Sequence, residues 1–113
     1  MAKVGDVYKV RIYFKGKSGT NKPRPVLIID QDEEYFTIVE LTSVEPKEPP
    51  GYFDNCKQKI VDWVRAGLDE ESYAKCHKGN IHRVEESRLF EYLGTLTAND
   101  LINVLEKVNE VNL

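Results

Sequence analysis

The chain has 113 residues, 41% hydrophobic and 31% charged, which excludes a wholly disordered protein and allows one core without a metal or disulfide staple. It is read as a single domain over residues 1–113, with no apolar run long enough for a membrane helix and no signal peptide, so a soluble cytoplasmic protein is expected. The net charge of −3 and pI near 5.4 argue against generic nucleic-acid binding, but the charge is uneven: residues 1–24 hold seven Lys or Arg against one acid, +6, and the remainder nine against eighteen, −9.

Residues 7–14 alternate, with Tyr8, Val10, Ile12 and Phe14 on one face and Val7, Lys9, Arg11 and Tyr13 on the other, the pattern of a half-buried strand. Residues 15–22, KGKSGTNK, form a basic polar loop containing Gly16 and Gly19. Pro23-Arg24-Pro25 follows. A proline fixes its own φ and pushes the preceding residue towards extended geometry, so Arg24 is held by a stiff segment at the mouth of a short apolar strand, residues 26–29. Residues 30–34 are an acidic turn and residues 35–44 a third strand, whose return would bring Thr42 beside Pro25.

The proline-containing segment 45–51 is a loop or edge. Alternation over residues 58–64 predicts a strand ending in the Arg65-Ala66-Gly67 turn, and residues 68–72 a turn of helix. Residues 73–77 and 81–84 are expected to pair as a hairpin across Lys78-Gly79-Asn80, and residues 85–90 to form a short helix or turn. Thr97 with Asp100 three residues on starts an amphipathic helix bearing Leu101, Val104, Leu105, Val108 and Val111 at helical spacing. The expected fold is mainly β with a C-terminal helix, a small partly open barrel.

A permanently charged planar guanidinium beside a basic, glycine-containing loop suggests an anion site, and a hydroxyl from Thr42 or Ser43 at the same sheet edge would help hold a phosphodiester and stabilise charge on a phosphoryl oxygen. Cys56, Cys76, His77 and His82 are metal-ligand types, but they lack a C-x2-C spacing and adjacent Cys76-His77 point to opposite faces of a strand; no metal site is assigned and the cysteines are read as free thiols. Gly16-Lys17-Ser18-Gly19-Thr20 lacks the Walker spacing and precedes a strand, so it is not a nucleotide loop.

Taken together these residues resemble the PemK/MazF-like toxins of bacterial type II toxin-antitoxin systems. The likeness rests on Gly5-Asp6-Val7-Tyr8, on Pro23-Arg24-Pro25-Val26-Leu27-Ile28-Ile29, and on residues 38–42 ending in Thr42. It continues through Gly67-Leu68 with Ser72, then Ile81-His82-Arg83-Val84, Arg88-Leu89 and Leu93-Gly94-Thr95-Leu96. The resemblance implies an SH3-like barrel, a homodimer, and a metal-independent endoribonuclease that needs no cofactor and cuts single-stranded RNA at short sequences. It implies attack of the ribose 2′-OH on the adjacent phosphorus, leaving 2′,3′-cyclic phosphate and 5′-OH ends. Arg24 would contact the scissile phosphate with Thr42 or Ser43 as the hydroxyl, and Lys15, Lys17, Ser18, Thr20 and Lys22 would contact RNA.

The chain departs from the family where the first loop offers neither an acid nor a histidine, which leaves the general base unassigned. Tyr13, Phe14, Tyr52 and Phe53 are aromatics on which bases could stack or which could serve packing. The cationic groove is expected to accept an acidic antitoxin segment that folds as it binds. The alternative is a non-catalytic SH3-like module that binds nucleic acid or an acidic partner peptide.

Overall fold

In a computed structural model, the protein is described over residues 2–11 and 23–113. Among the described residues seven strands, β1 (Asp6–Arg11), β2 (Pro23–Gln31), β3 (Phe36–Thr42), β4 (Lys57–Ile60), β5 (Ser72–Lys75), β6 (Ile81–Val84) and β7 (Glu91–Thr95), precede one helix, α1 (Ala98–Val111). Every strand pairing is antiparallel, in the order β4-β5-β3-β2-β1-β7, with β6 also on β3. Among the described residues β4 and β7 end this order, so the sheet curls without closing, as the expected partly open architecture requires.

The sheet is buried on both faces, which explains why residues 26–29 read as a continuous apolar run rather than an alternating one. Leu27 lies in one core with Val7, Val39, Leu41, Ile60 and Val104. Val26 and Ile28 point the other way, into a second core with Val10, Ile38 and Ala2. Helix α1 covers the first core through Val104, Leu101, Val108 and Val111, as its periodicity predicts. Thr97 caps it, its hydroxyl oxygen accepting from the Asp100 N–H at 3.1 Å.

Three expectations fail, each for a physical reason. The strand predicted over residues 58–64 stops at Ile60, because the buried Asp100 carboxylate accepts from the N–H groups of Val61 and Asp62, both at 2.9 Å, and diverts the chain into turns. Asp100 therefore acts outward, on a segment 38 and 39 residues away, instead of closing a capping box on its own helix. Residues 68–72 form no helical turn, because Ser72 already belongs to β5, paired with Ile60, and 68–71 run as a loop into it.

The hairpin expected between residues 73–77 and 81–84 is absent too. Strand β5 pairs with β4 and with the end of β3, whereas β6 pairs with the beginning of β3, Phe36↔Val84 through Val39↔Ile81. A 3₁₀ turn over Lys78–Asn80 redirects the chain between them, and His77 Nδ1 caps it by accepting from the Gly79 N–H at 3.0 Å. Strand β3 thus changes partner along its length, with Leu41↔Ala74 and Thr42↔Tyr73 following the β6 pairs and Glu40 between the two sets. Sequence reading also passed over β7, which pairs with β1.

Candidate functional site

The Pro23-Arg24-Pro25 segment is the first part of β2, pinned against β1 by Val10↔Arg24 and Lys9↔Pro25. On the other side β2 pairs with β3 through Val26↔Glu40, and the same register carried two residues outward sets Arg24 across from Thr42. A tight return thus brings them together despite their modest separation in sequence. Arg24, Thr42 and Ser43 all line one open cleft of about 380 Å³.

The Thr42 hydroxyl is oriented by its own backbone turn, its oxygen accepting from the Val44 N–H at 3.1 Å, so that its hydrogen can be donated into the cleft. Lys9 also lines the cleft, where it forms an ion pair with Glu91 at 3.1 Å. The segment from Gly67 to Ser72 brings Asp69 and Glu70 to the same cleft. Ser72 donates to the Glu70 carbonyl at 2.9 Å and fixes that loop's course.

Asp69 and Glu70 were not legible in the sequence, because nothing local ties residues 69–70 to Arg24, 45 and 46 positions before them. The available signal was Gly67-Leu68 with Ser72, part of the family-like pattern but without a role. Gly67 has φ +78°, and a Cβ there would collide with the Leu93 carbonyl; a Cβ on Gly94 would lie 2.5 Å from the Ala66 carbonyl carbon. Backbone packed directly on backbone holds the acidic segment against β7.

The expected contacts Lys15, Lys17, Ser18, Thr20 and Lys22, and the aromatics Tyr13 and Phe14, lie outside the described residues. The four metal-ligand types do not assemble. Cys56 and Cys76 are buried free thiols, His77 caps its turn, and His82 Nε2 lies 2.7 Å from the buried Glu40 carboxylate. Among the described residues no group of three or more His, Cys, Asp or Glu could hold a metal ion. Glu40 is a further residue that sequence reading passed over: Asn80 donates to it at 3.2 Å and the Lys75 ammonium lies 3.8 Å away.

The chain matches, over residues 3–112, the family described as PemK-like, MazF-like toxin of type II toxin-antitoxin system. It belongs to that family. Solved structures agree on the fold of this PemK/MazF-like chain. The Mycobacterium tuberculosis toxin MazF-mt6 is 20% identical with a TM-score of 0.66, covering 94% of each chain. An endoribonuclease from a mycobacterial species is 15% identical with a TM-score of 0.68, over 98% of this chain and 91% of the other. The MazE-MazF structure from Deinococcus radiodurans is 16% identical with a TM-score of 0.67, over 97% and 93%. No curated protein matches by sequence.

Proposed function

We propose that the protein is the toxin of a type II toxin-antitoxin pair and cleaves single-stranded RNA without a metal or other cofactor. The observation that carries this reading is the shared cleft, in which a stiffly held arginine, two hydroxyl residues and two carboxylates converge on a family-like fold. Arg24 would bind the scissile phosphate and offset charge building on its oxygens, with Thr42 donating its hydroxyl hydrogen and Ser43 beside it. A carboxylate of the 69–70 loop would take the proton from the ribose 2′-OH as its oxygen attacks phosphorus; the P–O5′ bond then breaks and the leaving oxygen is protonated. The products are a 2′,3′-cyclic phosphate and a 5′-OH end.

The family match across 3–112 supports treating the chain as one domain, and we propose that it works as a homodimer in the cytoplasm. An endoribonuclease of a mycobacterial species has been solved with its cognate antitoxin, which supports an antitoxin partner here. Lys15, Lys17, Ser18, Thr20 and Lys22 would extend the RNA contacts from the cleft, and an acidic antitoxin segment would compete for them.

The test is incubation of purified protein with single-stranded RNA in EDTA, followed by analysis of the ends. Cleavage with 2′,3′-cyclic phosphate ends that is lost in Arg24→Ala supports the proposal. Abolition by EDTA, or full activity in Arg24→Ala, overturns the mechanism. RNA binding with no cleavage under any condition would favour a non-catalytic binding module.

A further inference from the structure

Two large aromatic side chains stand out on the described surface, Tyr52 at 63% and Phe53 at 64% exposure. They are not a loose excursion. Phe53 starts the 3₁₀ turn Asp54–Cys56, whose Asp54 carboxylate accepts from the Gly51 N–H at 3.0 Å and lies 3.5 Å from Lys57 Nζ. That backbone N–H, first among the causes, holds the Asp54 carboxyl below the usual carboxylate range. The Asn55 N–H donates to the Gly51 carbonyl at 3.1 Å, and the Cys56 thiol lies 3.5 Å from the Tyr52 carbonyl.

His77 completes the cluster from the end of β5, the strand paired with β4. The Tyr52 and Phe53 centroids are 5.2 Å apart, and His77 lies 5.7 Å from Tyr52 and 5.1 Å from Phe53, every pair edge-to-face. His77 is itself fixed by capping its turn. Such a cluster loses little conformational freedom on meeting a flat ligand.

The position of the cluster says what that ligand is. Phe53 and His77 line a hollow of about 290 Å³ with Lys57 and Lys75. Lys57 Nζ also donates to the Val44 carbonyl at 3.0 Å, and Val44 lines the cleft that holds Arg24 and Thr42. One hydrogen bond therefore joins a residue of the hollow to a residue of the cleft. Exposed rings suit an unpaired base, since single-stranded RNA is held by stacking on aromatics, and the ammonium groups beside them are already positioned by Asp54 and Glu40. Two lysines and Asn80 interrupt the apolar lining of Phe53 and Cys56, which suits a base on a charged backbone better than a wholly apolar peptide face.

We infer that Tyr52, Phe53 and His77 form a stacking subsite for a nucleobase flanking the scissile phosphate, placed on the Val44 side of the cleft. This rests on the proposed RNA-cleaving function and adds a determinant of which RNA positions are held.

The experiment uses single-stranded RNA carrying the protein's own cleavage sequence, blocked by 2′-deoxyribose at the cut position, with 2-aminopurine at each flanking position in turn. Stacking quenches 2-aminopurine. Quenching is expected at one or two flanking positions, and Tyr52→Leu combined with Phe53→Leu should abolish it and weaken binding about tenfold or more. Phe53→Trp should preserve it, and thermal melts show whether each variant is folded. The inference is overturned if quenching survives the double substitution in folded protein, or if that variant changes only antitoxin binding or self-association. RNA cutting without any quenching overturns the subsite alone; neither binding nor cutting overturns the proposed function as well.

Discussion

In the proposed reaction Arg24 and Thr42 would divide the work of one phosphate between a charge and a hydrogen. A guanidinium offers a planar fork that an ammonium cannot copy, so Arg24→Lys is expected to keep RNA binding but lose at least about tenfold in cleavage. Thr42→Val keeps the strand's shape and removes the donor; a fall in kcat of roughly a hundredfold with little change in KM is expected from steady-state cleavage assays. Cys76 gives a residue-level prediction independent of RNA. Burial, more than any other cause, pushes its thiol from the ordinary 9.0 up to about 12. The folded state therefore favours the protonated thiol, and stability from this group is complete below the unfolded value and lost as pH rises from about 9 towards 12. Urea melts should show a steeper alkaline loss in the wild type than in Cys76→Ala. Arg24 was legible in the sequence because two prolines announce a stiff backbone; Cys76 was legible only as a free thiol, since burial comes from partners distant along the chain.

Elements were legible where local chemistry decides them and illegible where a distant group does. The helix α1 announced itself through Thr97 and its apolar spacing, whereas the end of β4 could not be read from residues 61–64, whose alternation is that of a strand. What stops β4 is Asp100, and its two short contacts on backbone N–H groups are the test. Asp100→Ala would leave those donors without their carboxylate in a partly buried place and is expected to destabilise by about 3 kcal/mol, against about 1 kcal/mol for Thr97→Ala at the cap. Chemical denaturation of both variants measures the difference; equal losses would mean that Asp100 matters only as part of its own helix. The hairpin expected for residues 73–84 failed for a related reason, since β5 and β6 are consecutive strands that both find β3 before they find each other.

At the scale of the molecule, function is built where separate parts of the chain press together. The backbone-on-backbone contact of Gly67 with Leu93 and of Gly94 with Ala66 fixes the segment that brings Asp69 and Glu70 to the cleft of Arg24. Gly94→Ala should cost about 3 kcal/mol or more, because neither backbone can yield as a side chain would. A thermal melt unchanged from wild type would show that the segment can shift. RNA binding should weaken as salt rises, and Arg24→Ala should reduce the log–log slope by about 0.7 if it neutralises one phosphate. The uneven charge along the sequence pointed to such a surface, but only the pairing of β2 with β1 and β3 says which cations reach the cleft.

The change of partner along β3 has a consequence for how much the chain can vary in length. Arg24 and Thr42 lie across from each other because the β2–β3 register, offset by one residue between Ile28 and Asp30, then runs unbroken from Ile28↔Ile38 to Val26↔Glu40, and Glu40 is held by Asn80, His82 and Lys75 just before Thr42. A residue gained or lost between Ile38 and Glu40 would break that register and turn side chains to the wrong face. Beyond Val44 the count no longer matters, so the proline-containing stretch 45–51 is free to lengthen or shorten without moving the hydroxyl from the arginine. Changes of length in that stretch would leave Arg24 and Thr42 in step.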